Sequence, residues 1–467
     1  MEFDFDTYLS PLTWRYASTE MRQLWSETYK RGLWRKVWLA LAEVEAQYGL
    51  ISDEQLGELR SQVSAIDIPR AMEIESIIHH DLMAELKTYA EQCPNAGGVL
   101  HLGATSMDIE DNADVLRIRT SIDLIITRVA DLLREFSNQI ERYADTVMIA
   151  FTHLQPAETS TVGYRLSLYA QDLLSDWENL RRVRSHLRGK GFKGAVGTGA
   201  AFAELVGLPN LPEFETRLST HLGLPFYPVA SQVYPRKQDY ELLSVMAGLG
   251  ASLYKFAFDL RLLQSPPIGE MAEPFGEFQV GSSAMPFKRN PIQAEKVDSL
   301  ARSLAQMPRI AWDNAAHSLL ERTLDDSANR RSILPESFLI TDELLLVTTR
   351  IIHGLQVDEN KIAQNLCIYG PFAGIEPVLM ALGKKGLDRQ AMHEVFRQYA
   401  MTAWTEIQNG APNPLVELIS GDKQVRLHLK ELEVHELMDV NHYTGDAPQR
   451  SRQLVRTIQE GLTTFTS

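Results

Sequence analysis

Between Asp111 and Asp145 the chain contains neither glycine nor proline. Across that stretch apolar residues fall at Val115, Ile118, Ile122, Ile125, Val129, Leu132, Phe136 and Ile140, in steps of three or four. Such spacing lays one apolar stripe along one face of a helix. A helix of this size is roughly 50 Å long at 1.5 Å per residue. It cannot bury its stripe alone, so it demands partners of similar length. The chain supplies them. Thr161 to Leu187 carries Leu166, Tyr169, Leu173, Trp177, Leu180, Val183 and Leu187 at helical spacing. Further long helical patterns cover Arg236–Gln264, Ile292–Ala315 and Ser332–Gly354. Gly248 and Gly250 lower helix propensity inside the third, and predict close helix approach there. Strand-like alternation is weak throughout. The expectation is an all-α protein built on a long-helix bundle.

The ends of the chain read differently. Helical patterns before the bundle run from Thr19 to Tyr48, Asp53 to Gln62 and Glu73 to Glu91, and Pro94, Gly97 and Gly98 then interrupt them. Beyond Gln356 the helices shorten, with breaks at Gly370-Pro371, Gly383, Gly386, Pro412-Asn413-Pro414 and Gly421. This predicts three helical domains: 1–106, a central bundle 107–357, and 358–467. At 467 residues more than one core is expected in any case.

Composition narrows the function. Forty-six Lys and Arg stand against 61 Asp and Glu, a net charge of −15. That argues against a nucleic-acid or anionic-membrane partner, while a local arginine cluster can still hold an anionic small molecule. Two widely spaced cysteines, Cys93 and Cys367, form no disulfide framework or zinc pattern and suit a reducing compartment. The acidic N-terminus lacks a signal-peptide layout. No apolar run reaches the ~18 residues of a transmembrane helix. A cytoplasmic protein is expected. Gly189-Lys190-Gly191-Phe192-Lys193-Gly194 matches the dinucleotide glycine pattern, but follows a helix, and no βαβ unit surrounds it. The Gly-rich run through Gly199 reads as a flexible connection. His79 and His80 are adjacent, so on a helix they point about 100° apart and make poor joint metal ligands. No metal and no cofactor is expected.

Polar islands mark the breaks between helices. They are Arg15-Tyr16-Ala17-Ser18, His79-His80-Asp81, Thr105-Ser106, Thr152-His153-Leu154-Gln155-Pro156, Gly281 to Pro291, and Arg322 to Arg331. Taken singly, His153 reads as a turn histidine and Ser282 as a turn or N-cap serine. If the last island is helical, Ser327 and Arg331 share a face one turn apart. Two arginines and a serine there suit a phosphate or carboxylate.

Gly281-Ser282-Ser283-Ala284-Met285-Pro286-Phe287-Lys288-Arg289-Asn290-Pro291 resembles the signature of the fumarase/aspartase superfamily. Within it, the islands resemble the adenylosuccinate lyase family, six blocks in that family's order. The resemblance implies a three-domain homotetramer in which each active site draws on three subunits. It implies β-elimination of fumarate from adenylosuccinate, and from the succinyl-carboxamide nucleotide of purine synthesis. By the same resemblance Ser282 is the base, with Lys288 and nearby backbone N–H groups stabilising its alkoxide. His153 is the acid, Glu295 orients it, and His80 holds the substrate. Thr105, Ser106, Thr152, Lys288 and Asn290 contact the succinyl carboxylates, and Gln232 is a further substrate contact. Arg15, Tyr16, Arg322, Ser327 and Arg331 form a phosphate clamp, with Asp81, His79 and Lys296 in the substrate-binding set. His79 and Lys296 stand where many relatives carry arginine, and Phe287 where tyrosine is frequent. Other superfamily lyases or cycloisomerases of argininosuccinate or carboxy-muconate type, and a catalytically silent homologue, are the alternatives. The arginine-serine clamp speaks against the first, and the intact Ser282, His153, Lys288 and Glu295 against the second. The Gly/Pro-rich run before the signature, from Ser265, reads as a lid.

Overall fold

The structure, a computed structural model, describes residues 6–466. The fold is all-α, with only short strand pairs between its helices. The glycine- and proline-free stretch forms helix Ser106–Arg142. Its stripe behaves as the spacing requires, for all eight apolar residues from Val115 to Ile140 are at most 1% exposed. The second stripe is buried as well, on helix Val162–His186 and just beyond it at Leu187. The third long pattern forms helix Lys237–Leu263. Close approach occurs there at one glycine only. A Cβ on Gly250 would stand 3.1 Å from Leu304 Cδ2, whereas at Gly248 the nearest atom is 3.8 Å away, an ordinary contact.

Two other long elements depart from expectation. The fourth pattern is two helices, Ile292–Leu304 and Met307–Ala316, because Pro308 has no N–H to continue the ladder and sits instead in the first turn of the second. The fifth begins seven residues before Ser332, as helix Asp325–His353, and carries Pro335 in its interior. Asp325 and Asp326 favour that earlier start, since acidic side chains complement the positive end of the helix dipole. Pro335 leaves the carbonyl of Arg331, four residues earlier, without its helical donor.

The chain packs as two compact units. The first takes the chain up to Val129 with Asp176–Ala251 and Ser299–Leu346; the second takes Ala130–Ser175, Ser252–Asp298 and the chain from Val347. The first unit's core gathers Trp34, Trp38, Leu41, Tyr89, Phe192, Phe202 and Phe214. Beside it Glu85, fully buried, accepts hydrogen bonds from Arg31 at 3.1 Å and Arg35 at 2.7 Å. In the second unit Val378, Leu382, Phe396, Leu415 and Ile419 form a separate core. Residues 359–384 have the length and apolar composition of a membrane span. They are two helices, Glu359–Ala373 and Ile375–Lys384, joined at Gly374 and packed on the Val147–Thr161 hairpin and on helix Arg389–Gln408 respectively.

Candidate active site

The signature segment is a loop closed at its neck. Gln264 accepts from the Glu273 N–H at 3.1 Å through Oε1 and donates to the Arg289 carbonyl at 3.0 Å through Nε2. The Glu273 carboxylate, 2% exposed, accepts from the N–H groups of Gln293 at 3.0 Å and Ala294 at 2.8 Å. It thereby caps helix Ile292–Leu304, which carries Glu295 and Lys296. Inside the loop only glycine fits at 281, because a Cβ would lie 1.9 Å from the Lys288 carbonyl oxygen. Asn290 Nδ2 donates to the Gly281 carbonyl at 2.9 Å and ties the same two strands of chain together. At the tip, Ser282 Oγ accepts from the N–H of Met285 at 3.1 Å and of Ala284 at 3.3 Å. Those two donors favour negative charge on that oxygen. The Lys288 side chain is exposed and makes no hydrogen bond or ion pair among the described residues.

His153 lies on an element the sequence pattern did not disclose. Strands Val147–Thr152 and Gln155–Thr161 pair antiparallel, and Thr152 faces Gln155 across a two-residue turn. Both turn residues have positive φ, +51° at His153 and +60° at Leu154. That is the geometry of a tight hairpin turn, normally given to Asn or Gly. The cost of holding Leu154 there, of order 1–3 kcal/mol, is a pattern found where function fixes a backbone. A bulge between Ile149 and Phe151 accommodates Pro156 opposite. The β-branched Val147, Ile149 and Thr152 were the signal for a strand, masked by its brevity. His153 forms no hydrogen bond among the described residues, and none joins it to Glu295, which instead lies 3.9 Å from Arg261. The expected orienting contact is thus not made within one chain.

The first unit holds the other candidates. His79 and His80 are not on one helix. His79, at φ +54°, ends helix Ile68–Ile78 in the left-handed conformation, and His80 is the N-cap of helix Asp81–Gln92. This reversal brings His80 Nε2 to 3.4 Å from Ser106 Oγ. Thr105 is held by Asp108, which accepts its N–H at 2.9 Å. Asp81 accepts from Arg331 Nη2 at 2.8 Å. Burial would raise the Asp81 carboxyl, but Arg331 outweighs it and holds the group below its usual range. Ser327, Arg331 and Asp81 line one cavity of about 150 Å³. The Gln232 N–H donates to the Glu321 carbonyl at 3.2 Å, which sets Gln232 beside Arg322. The Arg15–Ser18 segment is pinned to helix Asp325–His353, where Glu343 accepts the Ala17 N–H at 2.8 Å and Asp342 the Ser18 N–H at 2.6 Å.

Behind these residues lies an ion network that sequence reasoning missed. Asp326, 2% exposed, accepts from Arg322 and from Arg236, both at 2.7 Å, and Arg236 reaches Asp111 at 3.0 Å. Arg330, adjacent to the clamp residue Arg331, is 7% exposed and donates to Asp239 at 2.9 Å and to the Tyr234 hydroxyl at 2.7 Å. Burial would raise Asp326, and the two guanidiniums hold it below the usual carboxylate range. The first part of the Gly-rich run, Gly189–Gly194, is tied down. Asp108 accepts the N–H groups of Lys193 at 3.0 Å and Gly194 at 3.1 Å and pairs with the fully buried Lys190.

Residues 18–305 match the family described as lyase, and residues 372–454 the one described as adenylosuccinate lyase C-terminus. The adenylosuccinate lyase of Schizosaccharomyces pombe is 37% identical across 99% of this chain and 97% of its own length. That of Pyrococcus horikoshii is 35% identical, across 96% and 98%. The chain belongs to the adenylosuccinate lyase family. Solved structures related to this adenylosuccinate lyase family member share its fold. One is the 3-carboxy-cis,cis-muconate lactonizing enzyme from Pseudomonas putida, with TM-score 0.85, 25% identity and coverage of 95% and 98%. A fumarate lyase from Mesorhizobium sp. BNC1 has TM-score 0.83, 23% identity and coverage of 94% and 98%.

Proposed function

We propose that this chain cleaves adenylosuccinate to AMP and fumarate, and the succinyl-carboxamide nucleotide likewise, as a carbon–nitrogen lyase of purine synthesis. The observation that carries the reading is the Ser282 cradle, set in a chain whose adenylosuccinate lyase relatives match it end to end. The step requires removal of a weakly acidic proton beside a carboxylate. Ser282 Oγ takes that proton as an alkoxide, which the Met285 and Ala284 N–H groups and the Lys288 ammonium stabilise. The electron pair left on carbon delocalises into the adjacent carboxylate. It then forms the fumarate double bond as the carbon–nitrogen bond breaks, and the departing nitrogen takes a proton from His153. Thr105, Ser106, Thr152 and Asn290 hold the carboxylates, with Lys288. His79, His80, Gln232 and Lys296 complete the substrate contacts. Arg15, Tyr16, Arg322, Ser327 and Arg331 hold the phosphate. The assay is spectrophotometric, with purified protein and adenylosuccinate beside an active control; no fumarate and no AMP would refute the reading.

The active enzyme is a homotetramer with shared sites. Phe278, Val280 and Phe287 of the signature loop are 92%, 78% and 83% exposed, large apolar side chains that a second copy can cover. His153 without its Glu295 partner in one chain supports the same view. Sedimentation as a monomer at full activity would contradict it.

The clamp makes its own prediction. Arg331→Leu removes a bidentate phosphate donor but no group at the reacting carbon. KM should rise by roughly 10–100-fold, the range of about 1.5–3 kcal/mol for a charged hydrogen bond, with kcat within a few-fold. A variant with unaltered KM and depressed kcat would contradict the assignment.

A further inference from the structure

The cavity beside Arg331 holds one carboxylate that no cation bonds among the described residues. Its wall takes Glu27 and Lys30 from helix Glu27–Ala46, Asp81 from helix Asp81–Gln92, Glu110, Asp114 and Arg117 from helix Ser106–Arg142, and Arg330 and Arg331 from helix Asp325–His353. Each cation there already has a carboxylate. Lys30 bonds Glu27 at 2.7 Å. Arg117 bonds Asp114 at 2.8 Å and lies 4.2 Å from the centre of the Trp25 ring. Arg330 bonds Asp239 outside the cavity at 2.9 Å and lies 3.5 Å from Asp114 within it, and Arg331 bonds Asp81. Glu110, half-buried, is the carboxylate left over: it makes no hydrogen bond or ion pair among the described residues. Arg331 gives Asp81 a single nitrogen, Nη2, so the rest of its five-donor fork stays available.

We propose that Glu110 is a positioning residue of the phosphate clamp, leaving Arg331 to the substrate while its carboxyl is neutral and competing for the guanidinium when it ionises. The inference rests on the reading of Arg331 as a phosphate ligand. Burial, and then the charges of Asp81, Asp114 and Asp111, push Glu110 up to about 8, with Arg331 acting in the opposite sense. The group is therefore neutral at pH 7 and becomes an anion in mild alkali. Since the substrate binds better to the protonated form, KM is flat below about pH 8 and climbs above it, by at most tenfold per pH unit for one linked proton. The phosphate's own second ionisation, near pH 6, is complete before that range and cannot produce the climb.

The test is the pH dependence of KM for adenylosuccinate from pH 6 to pH 9.5, for the unmodified enzyme and for Glu110→Gln. The expected result is an alkaline rise of about threefold to tenfold by pH 9 that disappears in Glu110→Gln, confined to KM. The inhibition constant of succinyladenosine, which lacks the phosphate, should stay level with pH in the unmodified enzyme. That arm needs no variant and stands even if Glu110→Gln folds poorly. A rise that persists in Glu110→Gln, a flat profile in the unmodified enzyme, or a parallel rise for succinyladenosine each overturns the proposal. Arg331→Leu separates the two layers. If it raises KM at pH 7 while Glu110→Gln keeps the alkaline rise, only the role of Glu110 fails. If it leaves KM unaltered, the clamp itself fails.

Discussion

Ser282→Ala should lower kcat by roughly 10²–10⁴-fold, the usual contribution of a positioned acid or base, in a protein that otherwise folds normally. Ser282 is half-buried on a loop, outside any apolar core. Its oxygen accepts two loop N–H groups, from Ala284 and Met285. Removing it leaves those donors to solvent, a loss of about 1 kcal/mol for a typical hydrogen bond. The loop's shape depends on other contacts, at Gly281, Asn290, Gln264 and Glu273. A large kinetic loss with nearly unchanged stability is therefore the signature of a group that acts on the reaction itself. Turnover is read from the absorbance change on fumarate release, folding from the thermal transition by circular dichroism, and nucleotide binding from AMP titration. Turnover that survives the substitution would remove Ser282 from the role of base.

The largest loss of stability is expected from Asp108→Ala. Its carboxylate is fully buried, pairs with the fully buried Lys190, and accepts the N–H groups of Thr105, Lys193 and Gly194. Burial already pushes the Lys190 amine below its usual range against the pull of Asp108. Deleting the carboxylate takes away that amine's bonded counter-charge, leaving it on the Gly194 carbonyl at 2.9 Å, and strands three backbone donors. Breaking a buried pair in this way costs about 3–5 kcal/mol. The loss appears as a lowered unfolding midpoint in urea, and as a raised KM, because Thr105 loses its anchor. Replacing both partners, Asp108→Leu with Lys190→Met, should recover the part of the loss due to the lone buried charge but not the part due to the Thr105, Lys193 and Gly194 N–H groups, which stay without their acceptor. If Asp108→Ala unfolds at the midpoint of the unmodified protein, the pair contributes nothing net.

The long helices were legible because their periodicity is local: a side chain three or four residues on is already its neighbour in space. Errors arose where a local signal was outvoted. The apolar pattern from Ser332 marks only part of a helix that the acidic first turn at Asp325 and Asp326 starts seven residues earlier. His79 ends a helix with no glycine or proline to announce it, because a histidine can take the left-handed cap when its N–H finds Glu75. The hairpin around His153 is short, and a six-residue strand competes poorly with the long helical patterns on either side.

The amino-acid sequence by itself determined the all-α bundle, through the buried stripes, and the family, through motifs whose order along the chain needs no coordinates. What it could not determine is which charges meet. Arg331 finds Asp81 across 250 positions, Arg330 finds Asp239 across 91, and Arg236 finds Asp111 across 125. An ion pair depends on the few ångströms between two side chains, and no periodicity carries that distance. Only the tertiary structure, by setting four elements around one cavity, decided that Glu110 stands beside the clamp with no cation bonded to it among the described residues.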